Sequence, residues 1–152
     1  MRIQKLNKNV NNKDKFIEII YKNFLDLKHK DVNHNKVEIK RQIESNHNRS
    51  YYLTINNKIV AYIVSENIVV KDGRFTNFIY YLYVSSKHRG KGYSKILLDL
   101  INKETKNKVP SIMLIVRKSN YLAQNIYKKY GFIIEDYNGI DHDFIVMIKY
   151  HW

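Results

Sequence analysis

The hydrophobic positions of this chain change period several times, and each change marks an element. Residues 3–6 offer a short first strand. From Lys13 onward Ile17, Ile20, Phe24 and Leu27 recur at i, i+3, i+7 and i+10, which is one face of a helix. Residues 29–35 are polar and read as a loop, and a second, weaker helix follows through Val37, Ile39 and Ile43 to about residue 46. Two β-rich runs come next, Tyr51–Ile55 and 59–64, separated by the hairpin signal Asn56-Asn57-Lys58. After the turn residues Lys71-Asp72-Gly73, residues 78–84 form a nearly unbroken apolar and aromatic run, the pattern of a strand buried on both faces.

The second half alternates the two periods. Residues 92 to about 107 place Tyr93, Ile96, Leu97, Leu100 and Ile101 at i, i+3, i+4, i+7 and i+8, an amphipathic helix. Pro110 marks its exit and residues 112–116 read as another buried strand. Ser119 is the expected N-cap of a helix with inner face Ala123, Ile126, Tyr127 and Tyr130, and Gly131 stands at its C′ position. Residues 132–134 and 144–148 supply two final strands around Asn138-Gly139. The order β, α, α, β, β, β, α, β, α, β, β predicts an α/β (α+β) fold. Its central sheet should be mixed and partly parallel, of about six to seven strands, with about four helices on its faces. Without repeats, low-complexity tracts or a Pro/Gly/Ser linker, residues 1–152 are expected to form one domain.

Composition adds limits. A chain of 152 residues with 44% hydrophobic side chains can bury roughly 70% of the surface its unfolded form exposes. There is no cysteine, which excludes disulfides, thiolate metal sites and a thiol nucleophile. No run approaches the length of a membrane span, and the first residues lack an apolar signal region, so a cytoplasmic protein without a membrane partner is expected. The net charge of +13 favours anionic partners, a nucleotide cofactor or a nucleic acid, although a sequence so rich in Lys, Asn, Ile and Tyr also follows from AT-rich coding DNA.

The candidate chemistry lies where the central strand ends. Arg89-Gly90-Lys91-Gly92-Tyr93-Ser94 follows Leu82-Tyr83-Val84 and opens the amphipathic helix, so glycine backbone and a helix N-terminus face a common anion. It has neither the third glycine of a dinucleotide fingerprint nor a nucleoside-triphosphate P-loop. The segment resembles the [Arg/Gln]-x-x-Gly-x-[Gly/Ala] signature of the GNAT superfamily of acyl-CoA N-acyltransferases, departing only at Ser94. Residues 120–132 are similar to that family's N-x-x-A-x-x-x-Y-x-K-x-G-F segment, in Asn120, Ala123, Tyr127, Lys129, Gly131 and Phe132. The similarity covers about residues 78–132.

The resemblance implies an N-acetyltransferase that binds acetyl-CoA between the strand ending at Val84 and the strand 112–116. The cofactor would touch Leu82, Tyr83 and Val84, and its pyrophosphate would rest on Arg89, Gly90, Lys91, Gly92, Tyr93, Ser94 and Lys95. Arg89 and Lys91 are expected at the cofactor, whereas Lys87 and Lys95 serve equally well as surface cations. Asn120 is assigned to the cofactor or to the start of its helix. By the same resemblance the Leu82 backbone N–H is the oxyanion donor and Tyr127 the acid that protonates the departing thiolate, although Tyr127 also shares the period of a core aromatic.

No acidic residue lies between Asp72 and Asp99, so the strand lacks the carboxylate base of many relatives. Glu66, Asp136, Asp141 and His142 are remote candidates, and no base is assigned. The acceptor is expected to be a small-molecule or peptide amine, selected by the loop 29–35, the second helix and the loop 137–143, in a monomer or homodimer. Two alternatives stand beside this reading: a nucleic-acid-directed acetyltransferase acting on charged tRNA, and a member that binds CoA without turnover.

Overall fold

The computed structural model describes residues 1–27, 29 and 33–151, so part of the loop 29–35 lies outside the described residues. The elements follow the predicted order: β1 (Arg2–Lys5), α1 (Lys13–Asn23), α2 (Lys36–Glu44), β2 (Tyr51–Ile55), β3 (Lys58–Val69), β4 (Phe75–Val84), α3 (Tyr93–Thr105), β5 (Ser111–Arg117), α4 (Tyr121–Tyr130), β6 (Ile133–Glu135) and β7 (Phe144–Tyr150). The seven strands make one sheet in the order β1-β2-β3-β4-β5-β7-β6. Every neighbouring pair is antiparallel except β4–β5. Among the described residues no helix is long and apolar enough to cross a membrane.

Local chemistry sets these boundaries. Asn56 and Asn57 both adopt positive φ, 52° and 63°, the backbone of a two-residue hairpin turn whose twist suits the flanking strands. The face predicted for α1 holds, but the helix ends at Asn23; Phe24 and Leu27 reach the same core from the turns that follow. In α2 the inner face is Ile39, Gln42 and Ile43, whereas Val37 is 80% exposed and belongs to the outer side. Asn35 caps that helix, its Oδ1 accepting the Glu38 N–H at 2.8 Å. At α4 the cap is Asn120 rather than Ser119, with Oδ1 accepting from Ala123 N–H at 3.1 Å. Ile126 is exposed, and its expected inner place is taken by Gln124, whose amide donates to the carbonyls of Arg117 and Lys118.

The sheet is covered on both sides. Helices α3 and α4 pack on one face, where Leu97, Leu98 and Ile101 meet Ile63, Ile79, Leu114 and Met147. Burial of each such side chain is worth about 1.5–3 kcal/mol. Helices α1 and α2 cover the opposite face over Tyr62, Val64 and Tyr81. That second face continues past the helices onto Phe78, Met113, Val146 and Ile148, where loop residues Tyr137 and Ile140 take over.

One ion pair is built into this second face. Glu66 of β3 is 4% exposed, and the two terminal nitrogens of Arg41 each donate to one of its oxygens at 3.1 Å. The Tyr80 hydroxyl donates to Oε1 at 2.8 Å. Burial alone would raise the Glu66 pKa, but the hydrogen bonds from Arg41, Ser45 and Tyr80 outweigh it and hold the carboxyl below its ordinary value. A depressed carboxyl stabilises the fold above its unfolded pKa and loses that contribution as pH falls through the folded value. Arg41→Met therefore should cost about 2 kcal/mol in urea unfolding at pH 7, less than the ~3–5 of a fully buried pair because Arg41 is half exposed. That cost should shrink as pH falls through the folded Glu66 pKa, since the carboxyl is then protonated with or without Arg41; a cost that does not change with pH contradicts this account.

Candidate active site

The site follows from where two strands part. β4 and β5 pair only over three residues each, Asn77, Phe78 and Ile79 against Ile112, Met113 and Leu114. Beyond that, β5 is held from its other edge by β7 as far as Arg117, and β4 from its other edge by β3 as far as Val84. The departure coincides with a bulge. Val64 pairs with Tyr81 and Ser65 with Ile79, so Tyr80 is an extra residue that bends the strand. The wedge left between the strands is a cavity of about 320 Å³ lined by Tyr80, Leu82, Ile115, Arg117, Asn120 and Tyr127, among others.

Strand geometry decides which backbone groups face the wedge. The Ser85 N–H donates to the Val60 carbonyl at 2.8 Å, which makes 60/85 a hydrogen-bonded pair of the β3–β4 ladder. Such pairs alternate along an antiparallel ladder. Tyr62/Tyr83 and Val64/Tyr81 are therefore bonded pairs, and Ile63/Leu82 and Ala61/Val84 are not. The N–H groups of Leu82 and Val84 consequently point away from β3, into the parting. Tyr83 instead turns its N–H to β3 and stacks its ring on Tyr62 at 5.2 Å, on the α1/α2 face.

At the end of β4 a short 3₁₀ turn, Ser86–His88, leads into the glycine loop. Gly90 and Gly92 adopt φ of 76° and 83°, and the space where a Cβ would stand is open at both. Gly92 caps α3 without a side chain, and the first intrahelical bond runs from Ile96 N–H to the Gly92 carbonyl. The N–H groups of Tyr93, Ser94 and Lys95 are thus left to an outside acceptor, at the positive end of the helix dipole. Arg89 is exposed, with its Nε donating to the Val84 carbonyl at 3.1 Å. Lys87 and Lys91 are exposed, while Lys95 is drawn along the helix to Asp99 at 2.9 Å.

Across the wedge, Asn120 spends its Oδ1 on capping α4. Tyr127 packs edge-to-face on Phe132 at 5.7 Å, and among the described residues its hydroxyl has no hydrogen-bond partner. Burial pushes that hydroxyl up to about 12. The strands therefore bring together Leu82, Asn120 and Tyr127 on the wedge, while Val84, outside its lining, ends β4 and leads to the loop 89–95.

Among the remote candidates, Glu66 touches a wedge residue through its carboxylate, at Tyr80, and Asp141 through its backbone carbonyl, which accepts from the Phe144 N–H at 3.0 Å; Asp26, not among those candidates, lines the wedge itself. Asp136, Asp141 and His142 are not among the wedge residues; His142 is exposed between Asp141 and Asp143. Two contributors escape sequence reading. One is the Tyr80 bulge, which an unbroken apolar run conceals. The other is Arg117, whose guanidinium sits 4.9 Å from the Phe144 ring centre and donates to the Asp26 carbonyl at 2.8 Å, tying the segment after α1 to the end of β5.

Known proteins agree with this architecture. The acetyltransferase (GNAT) family model matches residues 15–132. No curated protein matches the chain. Among solved structures, the ribosomal-protein-S18-alanine N-acetyltransferase of Escherichia coli is 18% identical, with coverage of 98% of this chain and 92% of that one and a TM-score of 0.70. The PaiA N-acetyltransferase of Thermoplasma acidophilum, solved with coenzyme A, is 18% identical over 98% of both chains, with a TM-score of 0.72. Arabidopsis thaliana Naa50, solved with the bisubstrate analogue CoA-Ac-MVNAL, is 22% identical over 97% of both, with a TM-score of 0.71. At these identities the structures speak for the fold. With the family model matching most of its length, the chain belongs to the GNAT acetyltransferase family.

Proposed function

We propose that this protein transfers an acetyl group from acetyl-CoA to a primary amine by direct attack on the thioester. The observation that carries the reading is the wedge itself: inward N–H groups on one wall, a phenol with no hydrogen-bond partner among the described residues on the other, and an open glycine loop at its end. The crystallisation of the Thermoplasma relative with coenzyme A and of Naa50 with a CoA–peptide analogue supports the choice of donor.

The residues present fit such a donor. Gly90 and Gly92 leave room for phosphate oxygens against the backbone, and the N–H groups of residues 93–95 supply donors without spending a side chain. Arg89 and Lys91 add charge there, and Lys95 adds less because Asp99 holds it. Tyr93 and Ser94 take part through their backbone. Asn120 keeps only its amide nitrogen for the donor, and Tyr83 contributes through backbone alone, its ring being committed to Tyr62. Bound acetyl-CoA supplies the activated acyl group.

The Leu82 N–H then opposes the negative charge that grows on the carbonyl oxygen. It is preorganised by the strand, so no reorganisation is needed at the moment of reaction. Tyr127 gives its proton to the thiolate. A phenol raised to about 12 stays protonated throughout the neutral range. The amine must lose a proton without Glu66, which is already committed to Arg41 and Tyr80. Solvent takes it, and amines that are partly neutral at working pH, such as α-amines near ~8, are better acceptors than lysine side chains near ~10.4.

Three measurements test this. Tyr127→Phe should lower kcat by about 100-fold in a thiol-release assay while acetyl-CoA still binds; full activity would remove the acid role. Gly92→Val should weaken acetyl-CoA binding by about tenfold or more, because a branched side chain is strained at φ 83° and fills the cradle; unchanged affinity in calorimetry would place the phosphates elsewhere. For an α-amine acceptor, kcat/KM should rise as pH passes the amine's own pKa near ~8 and show no descending limb before about pH 10, since Tyr127 titrates later. A fall beginning near neutrality would contradict the assignment.

A further inference from the structure

A second cavity, of about 300 Å³, adjoins the wedge on the α1/α2 side of the sheet. Tyr80 and Ile115 line both, so the two spaces share a wall at the point where the strands part. The walls of the second cavity are mostly apolar, with Phe78, Met113, Val146 and Ile140 prominent among them. Of its lining residues Asn33, Glu38, Gln42 and Lys71, Gln42 alone is buried. Gln42 of α2 is 1% exposed, lines the cavity, and has an Oε1 with no hydrogen-bond partner among the described residues. Leaving a buried acceptor unpaired is costly, and an N–H brought by a ligand removes the cost.

From this geometry we infer that the second cavity holds a large apolar side chain borne on the carbon next to the acceptor amine, with Gln42 Oε1 accepting an N–H of the same molecule. The inference rests on the acetyl-transfer reading and names its acceptor class: a primary amine with a leucine- or phenylalanine-sized neighbour. The volume suits one such side chain, given that each displaced water occupies about 30 Å³. Its burial favours the apolar acceptor by about tenfold to a hundredfold. A polycation is disfavoured for a separate reason. Among the described residues the one carboxylate lining the cavity, Glu38, already accepts from Arg41 Nε at 2.7 Å, and Lys71 also lines it. A second positive charge would be desolvated there without a matching anion.

Two sources present this chemistry, the N-terminus of a peptide and a small amine such as leucinamide, and one assay distinguishes them. The intact protein is given acetyl-CoA and a panel of peptides identical except for a first residue of Leu, Phe, Gly or Asp, together with leucinamide and spermidine. The Leu and Phe peptides should exceed the Gly and Asp peptides and spermidine by at least about tenfold in kcat/KM. Leucinamide matching the Leu peptide assigns the source to small amines, and a clear preference for the peptide assigns it to polypeptide N-termini. Gln42→Met, close in shape but without the acceptor, should raise KM for the Leu peptide by about tenfold while acetyl-CoA affinity holds. Ile140→Trp fills the cavity from its loop side and should collapse the Leu-to-Gly ratio.

Equal or faster turnover of the Gly peptide, the Asp peptide or spermidine overturns the inference, as does a ratio that neither variant moves. If acetyl-CoA binds and no amine is turned over, the catalytic reading fails by itself. Calorimetry of the Leu and Gly peptides on the CoA complex then decides the cavity, and equal or absent binding overturns it.

Discussion

Everything distinctive in this fold depends on β4 and β5 letting go of each other. Two parallel strands that begin in register would ordinarily keep their ladder, because an unpaired backbone group away from water is costly. Here the ladder stops after three residue pairs, and each strand is carried onward only by its outer neighbour. The bulge at Tyr80 supplies the bend. The cost is a row of backbone groups facing a gap; in the proposed reaction those groups meet the donor. The same bend turns Tyr80 and Tyr81 toward one side of the sheet, so one irregularity shapes both the wedge and the space beside it.

The chemistry of the wedge is mainly that of exclusion. Tyr127 is held against Phe132 with no partner for its hydroxyl among the described residues, and it is burial, rather than a neighbouring charge, that raises its pKa. Asp26 lines the wedge, and Glu66 reaches it only through Tyr80, which donates to a carboxylate that Arg41 locks. The role of Glu66 is to fix the bulged residue in place. Arg117 makes a second tie, joining the end of β5 to the segment after α1. Both ties fix residues that line the wedge, and the proposed reaction depends on such positioning.

Much of this was legible in the sequence because local periodicity and turn chemistry agree with the tertiary fold. The element order, the Asn56-Asn57 turn and the glycine pair before α3 each follow from a few adjacent residues. The misreadings share a cause as well. Ile126 and Val37 are apolar and in plausible phase, yet they face outward, while Gln124 and Gln42 lie inside. Buried amides are invisible to a hydrophobic pattern, because their place is decided by carbonyls or cavities contributed from distant segments. The Ser119 cap fails by one residue for a related reason, since Asn120 caps as well and its Oδ1 reaches Ala123. The Tyr80 bulge has no signature in an unbroken aromatic run, and only the β3 register reveals it.

The central claim is that the parting of β4 and β5, with the glycine loop at its end, is where acetyl-CoA binds. Amide hydrogen exchange with and without acetyl-CoA reads that claim residue by residue. Protection should appear at Leu82, at residues 90–95 and at the far end of β5, and leave the β1–β2 edge unchanged. Uniform protection, or none in the loop 90–95, would contradict it.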